Sequence, residues 1–161
     1  GAWPSLEKAL DLATIAVAAE QAGGAQQVLD MTVAYTKERQ QFGRTIASFQ
    51  AVKHQAADMM VAAESAKSAI YYAGCVAHEA MHGGPLGVEL AEAASIAKAQ
   101  CSAAFFANAS TAIQLHGGVG FTWEYDVHLY FKRAKSSEHF LGNAAYHRER
   151  IAQQLLDTDC Q

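Results

Sequence analysis

YTKERQQFG, from Tyr35 to Gly43, and QLHGGVGFTWEY, from Gln114 to Tyr125, decide how this chain is read. Each phrase ends a long Ala-rich stretch of helical periodicity, and each sets a planar polar side chain, Arg39 or Gln114, beside glycines. Glycine has no Cβ, so backbone there can lie close against a bulky ligand. A guanidinium offers a rigid fork of donors that matches phosphate oxygens. The two phrases together suit a large ligand that carries phosphate.

Outward from these phrases the chain reads as helices. Leu6, Leu10, Ala13, Val17, Leu29 and Val33 return to one helical face, with Ser5 as N-cap, which predicts a first helix ending near Arg39. Gly23 and Gly24 each cost a helix roughly 1 kcal/mol relative to Ala. The periodicity continues through them, so they are expected to allow close helix packing. A second helix is expected after Gly43, capped by Ser48 and carrying Val52, Ala56, Met59, Met60, Ala63, Ile70 and Ala73 toward His82. Gly83, Gly84 and Pro85 stop it, and Pro85 stands where a third helix can start. Leu86, Leu90, Ala94, Ala97, Cys101, Phe105 and Ile113 stripe that helix up to Gly117 and Gly118. A shorter helix over 126–135, a link over 136–142 and a last helix over 144–156 complete the chain. No stretch alternates as a strand does. The expectation is an all-α fold, an antiparallel bundle of three long helices plus shorter C-terminal helices, with 1–161 as a single domain.

Bulk properties exclude several classes of function. A net charge of −4 with scattered Lys and Arg provides no basic stripe, which argues against nucleic acid. Polar residues break every Ala-rich run, so no membrane span is expected. The three cysteines are far apart and lack CxxC spacing, arguing against a disulfide framework and for a reducing, cytoplasmic setting. The opening Gly1-Ala2-Trp3, without an initiator Met, predicts a C-terminal fragment with sequence upstream.

The two phrases, in this order and at this spacing, resemble the C-terminal helical domain of the acyl-CoA dehydrogenase family over about Leu6 to Leu156. The resemblance implies an FAD-dependent enzyme forming a double bond between the α and β carbons of an acyl-CoA. Its electrons would pass to an electron-transfer acceptor, and it would assemble as a homo- or hetero-oligomer through this domain. It also implies cofactor roles. Arg39 would hold the dinucleotide pyrophosphate, with Phe42 beside the adenosine and Gln50 nearby. Gln114, Gly117 and Gly118 would approach from a neighbouring subunit, and Asn143 stands where the family keeps a Thr.

The family removes the α proton with a carboxylate, and here the resemblance fails. Counted without gaps from Gln114, the Glu-Gly-Thr phrase that usually carries the base falls on Leu141-Gly142-Asn143. The alternative base position, on the first helix, falls on Ala13, and Thr14 follows where the family usually has Arg. Neither side chain accepts a proton, and loss of a positioned base costs about 10²- to 10⁴-fold in rate. Four outcomes remain open. The chain is the base-less half of a heteromeric enzyme; or Glu138 or His139, within a turn of Leu141, substitutes; or the flavin chemistry differs, as in oxygen-dependent hydroxylation; or the chain is a non-catalytic assembly subunit. The isolated fragment is expected to be inactive.

His78-Glu79-Ala80-Met81-His82 matches the HExxH zinc pattern, but the helix ends at once in Gly83 and seven histidines make a chance match easy, so no metal is expected. His116 is expected to pack at a helix end. Trp123 and Tyr125 read as partly buried clamps on the glycine turn, and Met59 and Met60 as core fillers. Arg133 stands where the family keeps an acid, which removes any inherited ion pair there.

Overall fold

The computed structural model describes residues 2–156. Three long helices form the body: α1 (Trp3–Glu38), α2 (Gln50–His82) and α3 (Leu90–His116). Two shorter helices follow, α4 (Val127–Glu138) and α5 (Ala144–Leu156). The chain runs up, down and up again, so α1 and α3 lie parallel with α2 antiparallel to both. Side-chain links show the register: Gln21 meets Ser102, Asn108 meets Ala25, and Tyr35 meets His116.

Small side chains make this packing possible. Ala18, Ala25, Ala66, Ala73, Ala94, Ala97, Ala109 and Ala112 are all fully buried, so backbones approach closely. The tightest contact lies where Phe105 packs on Gly24: a Cβ there would stand 2.5 Å from the ring. Gly23 is different, since a Cβ there would meet nothing within 4 Å. Only one glycine of the pair therefore serves packing. Asn108, 1% exposed, joins the three helices by donating from Nδ2 to Ala25 O at 3.2 Å and Met59 O at 3.0 Å.

Several sequence expectations need correction. α1 starts at Trp3, with Pro4 in its first turn, and Ser5 is not its cap. Its buried stripe over the first turns is Asp11, Thr14, Ile15 and Ala18, while Leu6 and Leu10 are exposed. Polar side chains satisfied within the fold take that face, and Thr14 Oγ1 donates to Leu10 O at 2.8 Å. A two-stranded ribbon, β1 (Gln40–Gln41) and β2 (Arg44–Thr45), fills the link that was read as strand-free. Ser48 does not cap α2; its hydroxyl donates to Thr45 O, and Phe49 occupies the cap position. Pro85 opens a 3₁₀ turn, Pro85–Glu89, before α3 begins. α4 continues through Ser136, Ser137 and Glu138, which the sequence assigned to a link. Met60 is 48% exposed on the outer side of α2, unlike the buried Met59.

The C-terminal pair is fastened by a charge inside the core. Lys98 is fully buried, and its Nζ donates to Ser102 Oγ (2.8 Å), Glu138 O (3.1 Å) and Ser137 O (3.3 Å). Two of these partners are carbonyls at the end of α4, where a helix leaves acceptors unpaired and its dipole favours a cation. Burial pulls the Lys98 pKa down, with Glu138 opposing. Gln21 completes the network, donating to Ser137 O and accepting from Ser102. On the surface, Arg133 forms a two-pronged pair with Glu20, joining α4 to α1.

The two glycines of α1 should respond in opposite directions. Gly23→Ala should raise stability by about 0.5–1 kcal/mol, because Ala has the better helix propensity. Gly24→Ala should lower it by about 1–3 kcal/mol through overpacking against Phe105. Denaturant midpoints of the two variants test this, and equal shifts would contradict the packing described. Cys101, whose pKa burial pushes up to about 12, should resist alkylation in the folded protein, whereas exposed Cys75 reacts.

Candidate functional site

Because α1 and α3 run parallel, the phrases that end them arrive at the same end of the bundle. There Tyr35, Arg39 and Gln41 line one pocket of about 450 Å³ with Gln114, Gly117 and Gly118 of the same chain, so the expectation that Gln114 and the two glycines meet the Arg39 site from a neighbouring subunit is replaced by a meeting within one chain. The floor is aromatic: Tyr35 stacks on His116 with centroids 4.1 Å apart, and Tyr125 meets both rings edge-on. His116 is buried, its Nδ1 donating to Ala112 O at 2.8 Å, in keeping with a packing role. Burial lowers its pKa, which keeps the ring neutral.

The electrostatics of this pocket give Arg39 its importance. Two helix C-termini converge here, and their partial negative charges disfavour an anion. A phosphate can settle only if a cation offsets that field. Arg39 is exposed, with no hydrogen bond or ion pair of its guanidinium among the described residues. Gln114 is exposed beside it. Gly117 ends α3 at φ 65°, ψ −144°, a conformation open to glycine alone. A Cβ on Gly118 would meet no protein atom within 4 Å, which leaves room for a ligand against the backbone. Donors, a free guanidinium and an open glycine shelf fit the phosphate portion of a dinucleotide.

The ribbon beside this pocket carries an unusual aromatic. Gln41 pairs with Arg44 around a two-residue turn in which Phe42 (φ 54°) and Gly43 (φ 72°) both adopt positive φ. A left-handed Phe costs about 1–2 kcal/mol, yet its ring is 91% exposed. Phe49 lies edge-on to it at 6.2 Å, and the Arg44 guanidinium sits 4.0 Å above Phe49. Strain held at an exposed aromatic points to a contact outside this chain. Gln50, at the start of α2, instead pairs with His54 at 3.0 Å and does not line the pocket.

Leu141 lies at the other end. Thr14 and Tyr35 both lie on α1, separated by 21 rises of about 1.5 Å, so the two ends are roughly 30 Å apart. Leu141 (φ 58°) and Gly142 (φ 98°) form a left-handed turn, and His147 Nε2 donates to Leu141 O at 2.9 Å. A Cβ on Gly142 would lie 2.5 Å from Tyr146, so glycine is needed there. Asn143 Oδ1 accepts the Tyr146 amide at 2.9 Å and caps α5, which keeps it with this turn rather than with the Arg39 pocket. Leu141 and Thr14 line one cavity, and Ala13 is exposed on α1 nearby.

Glu138 and His139 do not line that cavity. Glu138 accepts from Lys135 at 2.7 Å, and His139 is largely exposed. The carboxylates that do line it are Glu7 and Asp11, which sequence reasoning missed. Asp11 is 6% exposed and bonded to Arg150 Nη1 at 3.0 Å. The two partners stand 139 positions apart, so only the fold reveals the pair.

One further expectation changes. Trp123 is 82% exposed and clamps nothing; its ring meets His128 edge-on at 4.8 Å. His78 and His82 lie with tilted rings 4.2 Å apart at the end of α2, where His82 Nδ1 bonds His78 O, and no group of three metal-ligating side chains occurs among the described residues.

Comparison with known proteins fits this geometry. The family model for the acyl-CoA dehydrogenase C-terminal domain matches residues 3–156. Acyl-CoA dehydrogenase IpdE2 of Mycolicibacterium smegmatis is 44% identical over 132 residues, 82% of this chain and 39% of IpdE2. FadE34 of Mycobacterium tuberculosis is 43% identical over 145 residues, 90% of this chain and 20% of FadE34. Butyryl-CoA dehydrogenase from Megasphaera elsdenii superposes with TM-score 0.85 at 30% identity, covering 97% of this chain and 39% of that one. The steroid acyl-CoA dehydrogenase Tcur3481-Tcur3483 gives TM-score 0.85 at 33% identity, covering 94% and 40%. The chain belongs to the acyl-CoA dehydrogenase family, a family of flavoproteins, and forms its C-terminal domain. It spans less than half the length of these relatives. No helix among the described residues is long and apolar enough to cross a membrane.

Acid should weaken this fold through its buried imidazoles. His116 and His147 both have pKa values lowered by burial, so the stability they contribute is present above the ordinary imidazole value of about 6.5 and is lost as pH falls through their folded values. The unfolding midpoint should fall between pH 7.5 and 5. His116→Phe should make that decline shallower, and an unchanged slope would contradict the assignment.

Proposed function

We propose that this chain is the C-terminal domain of a longer, cytoplasmic FAD-dependent acyl-CoA dehydrogenase polypeptide that supplies cofactor contacts but no catalytic base. The base comes from a paralogous subunit. The observation that carries this reading is Leu141: an aliphatic side chain in a strained turn fills the base position, across the cavity from Thr14. The fold around it is otherwise intact.

On this reading Arg39 holds the pyrophosphate against the field of two helix C-termini, Gln114 donates its amide, and Gly117 and Gly118 let the backbone close on the ligand. Phe42 lies along the adenosine from its strained turn. Gln50 and Asn143 are the outlying members of the set: His54 already engages Gln50, and the α5 cap engages Asn143. The separation of roughly 30 Å between the pocket and Leu141 supports the chain gripping the phosphate end of a flavin whose ring faces another subunit. FAD held there would supply the acceptor for the β hydrogen of an acyl-CoA, with an electron-transfer partner taking up the electrons. Removal of the α proton falls to a carboxylate that this chain lacks at either family position.

Assembly has support on the outer helix faces. Met60 and Val61 are exposed, and Met60 lines a groove of about 740 Å³ with Leu29, Val33 and Ala56. One solved relative bears a paired name, Tcur3481-Tcur3483. A second reading rests on Asp11 and Glu7, carboxylates in the Leu141 cavity, as a substitute base within this chain.

Anaerobic titration with acyl-CoA separates the two readings. The full-length protein purified alone should retain FAD and show no flavin reduction, and co-expression with a base-bearing paralogue should restore reduction. Rapid reduction by the lone protein, abolished by Asp11→Asn or Glu7→Gln, would establish the second reading instead. Arg39→Met should weaken FAD retention by about 10- to 100-fold, the worth of a charge-assisted contact of about 1.5–3 kcal/mol. Phe42→Gly should stabilise the fold by about 1 kcal/mol by relieving left-handed strain while weakening FAD binding. A Phe42→Gly protein that keeps full affinity would remove that side chain from the site.

A further inference from the structure

An imidazole, where apolar side chains are usual, seats the C-terminal helix on the bundle. Across Ala144–Leu156 only His147 is buried, at 1% exposure. A carbonyl oxygen can only accept, so His147 Nε2 carries the hydrogen that reaches Leu141 O at 2.9 Å, and Nδ1 of the neutral ring is a bare lone pair. That Nδ1 is buried with no hydrogen-bond partner among the described residues. The carbonyl it holds belongs to a leucine in the left-handed region, strained for any side chain with a Cβ, next to Gly142 at φ 98°. One ring therefore fills the slot of α5 in the core and pins the strained turn from which α5 departs.

The surroundings of the ring oppose a second proton. Burial comes first, and the cations Lys98 of α3 and Arg150 of α5 add repulsion, so the His147 pKa is held below the ordinary imidazole value. Asp11 of α1 attracts a proton, but Arg150 already engages it at 3.0 Å. The other groups at this end have little hold on the ring: Glu7 of α1 is exposed, Glu138 at the end of α4 is paired with Lys135, and His139 is exposed. Cys101, near Lys98 on α3, is a neutral thiol, its pKa pushed up to about 12. A proton added at Nδ1 would create a buried cationic N–H with no acceptor, a costly state that exposure to water relieves.

We propose that His147 is an acid-sensitive latch, whose protonation at Nδ1 releases α5 and the Leu141 turn from the bundle while α1, α2 and α3 stay packed. The three long helices are joined instead by Ala faces, by Phe105 on Gly24 and by Asn108, none of which titrates. Once α5 is released, water reaches the ring and its pKa returns to about 6.5. The contribution of His147 to docking is thus fully present above that value and declines as pH falls below it. Release also removes Tyr146, His147 and Arg150 from the cavity that they line with Leu141, which opens that end of the bundle.

Hydrogen exchange of the full-length protein tests this between pH 7.5 and 5.5, above the range in which ordinary carboxylates titrate. Rates are corrected for the intrinsic effect of pH on amide exchange. The amides of 147–154 should open about 5- to 10-fold more at pH 5.5, the limit set by a released imidazole of pKa about 6.5. Those of 94–112 in α3 should remain far better protected at both pH values. His147→Gln can still donate to Leu141 O but has no proton to gain, and it should abolish the acceleration in α5. His116→Phe, at the opposite end of the bundle, should leave that acceleration in place. No acceleration in the unaltered protein, α5 amides that exchange only in step with α3, or an acceleration that survives His147→Gln each overturns the proposal. The comparison of α5 with α3 in the unaltered protein decides the matter whether or not His147→Gln folds.

Discussion

Everything at the functional end depends on α1 and α3 lying parallel and close. A single return helix, α2, forces that arrangement, and small residues set the distance. Phe105 packs on Gly24 where no Cβ fits, and Asn108 binds carbonyls of α1 and α2 at once. These contacts bring two phrases seventy-odd positions apart to one end of the bundle, with Tyr35 stacked on His116. A shift of one turn along either helix, about 5.4 Å, would carry Arg39 away from Gln114 and dissolve the pocket.

The same geometry creates a difficulty that the sequence answers. Parallel helices ending together present two negative dipole ends, the reverse of the helix N-termini at which phosphates commonly bind. The unpaired Arg39 offsets them. At the far end the same logic recurs: a buried cation, Lys98, meets the C-terminal carbonyls of α4, three residues before Leu141.

Much of this was legible in the sequence, for identifiable reasons. Helix periodicity with the glycine stops at Gly83 and Gly117 gave the three long helices and the ends of α2 and α3 to the residue, because the positive φ at those ends requires glycine. Other features were hidden. A buried lysine reads as a surface lysine until its acceptors, 39 and 40 positions away, are known. The Asp11–Arg150 pair spans nearly the whole chain. Ser5 and Ser48 looked like caps because the residue type was right, but adjoining turns placed the helix starts elsewhere. Trp123 looked like a clamp on hydrophobicity alone, a property that does not tell which side of a turn faces solvent. The cofactor phrases were legible as chemistry, while their meeting in one pocket required the fold.

The account turns on whether one chain's Arg39 and Gln114 grip the same dinucleotide. An experimental structure of the full-length flavoprotein measures this directly. The result in agreement places pyrophosphate oxygens within about 3.2 Å of both the Arg39 guanidinium and the Gln114 amide of a single subunit, with Leu141 of that subunit at the opposite end. Phosphates bound elsewhere, with Arg39 and Gln114 left in solvent, would contradict it.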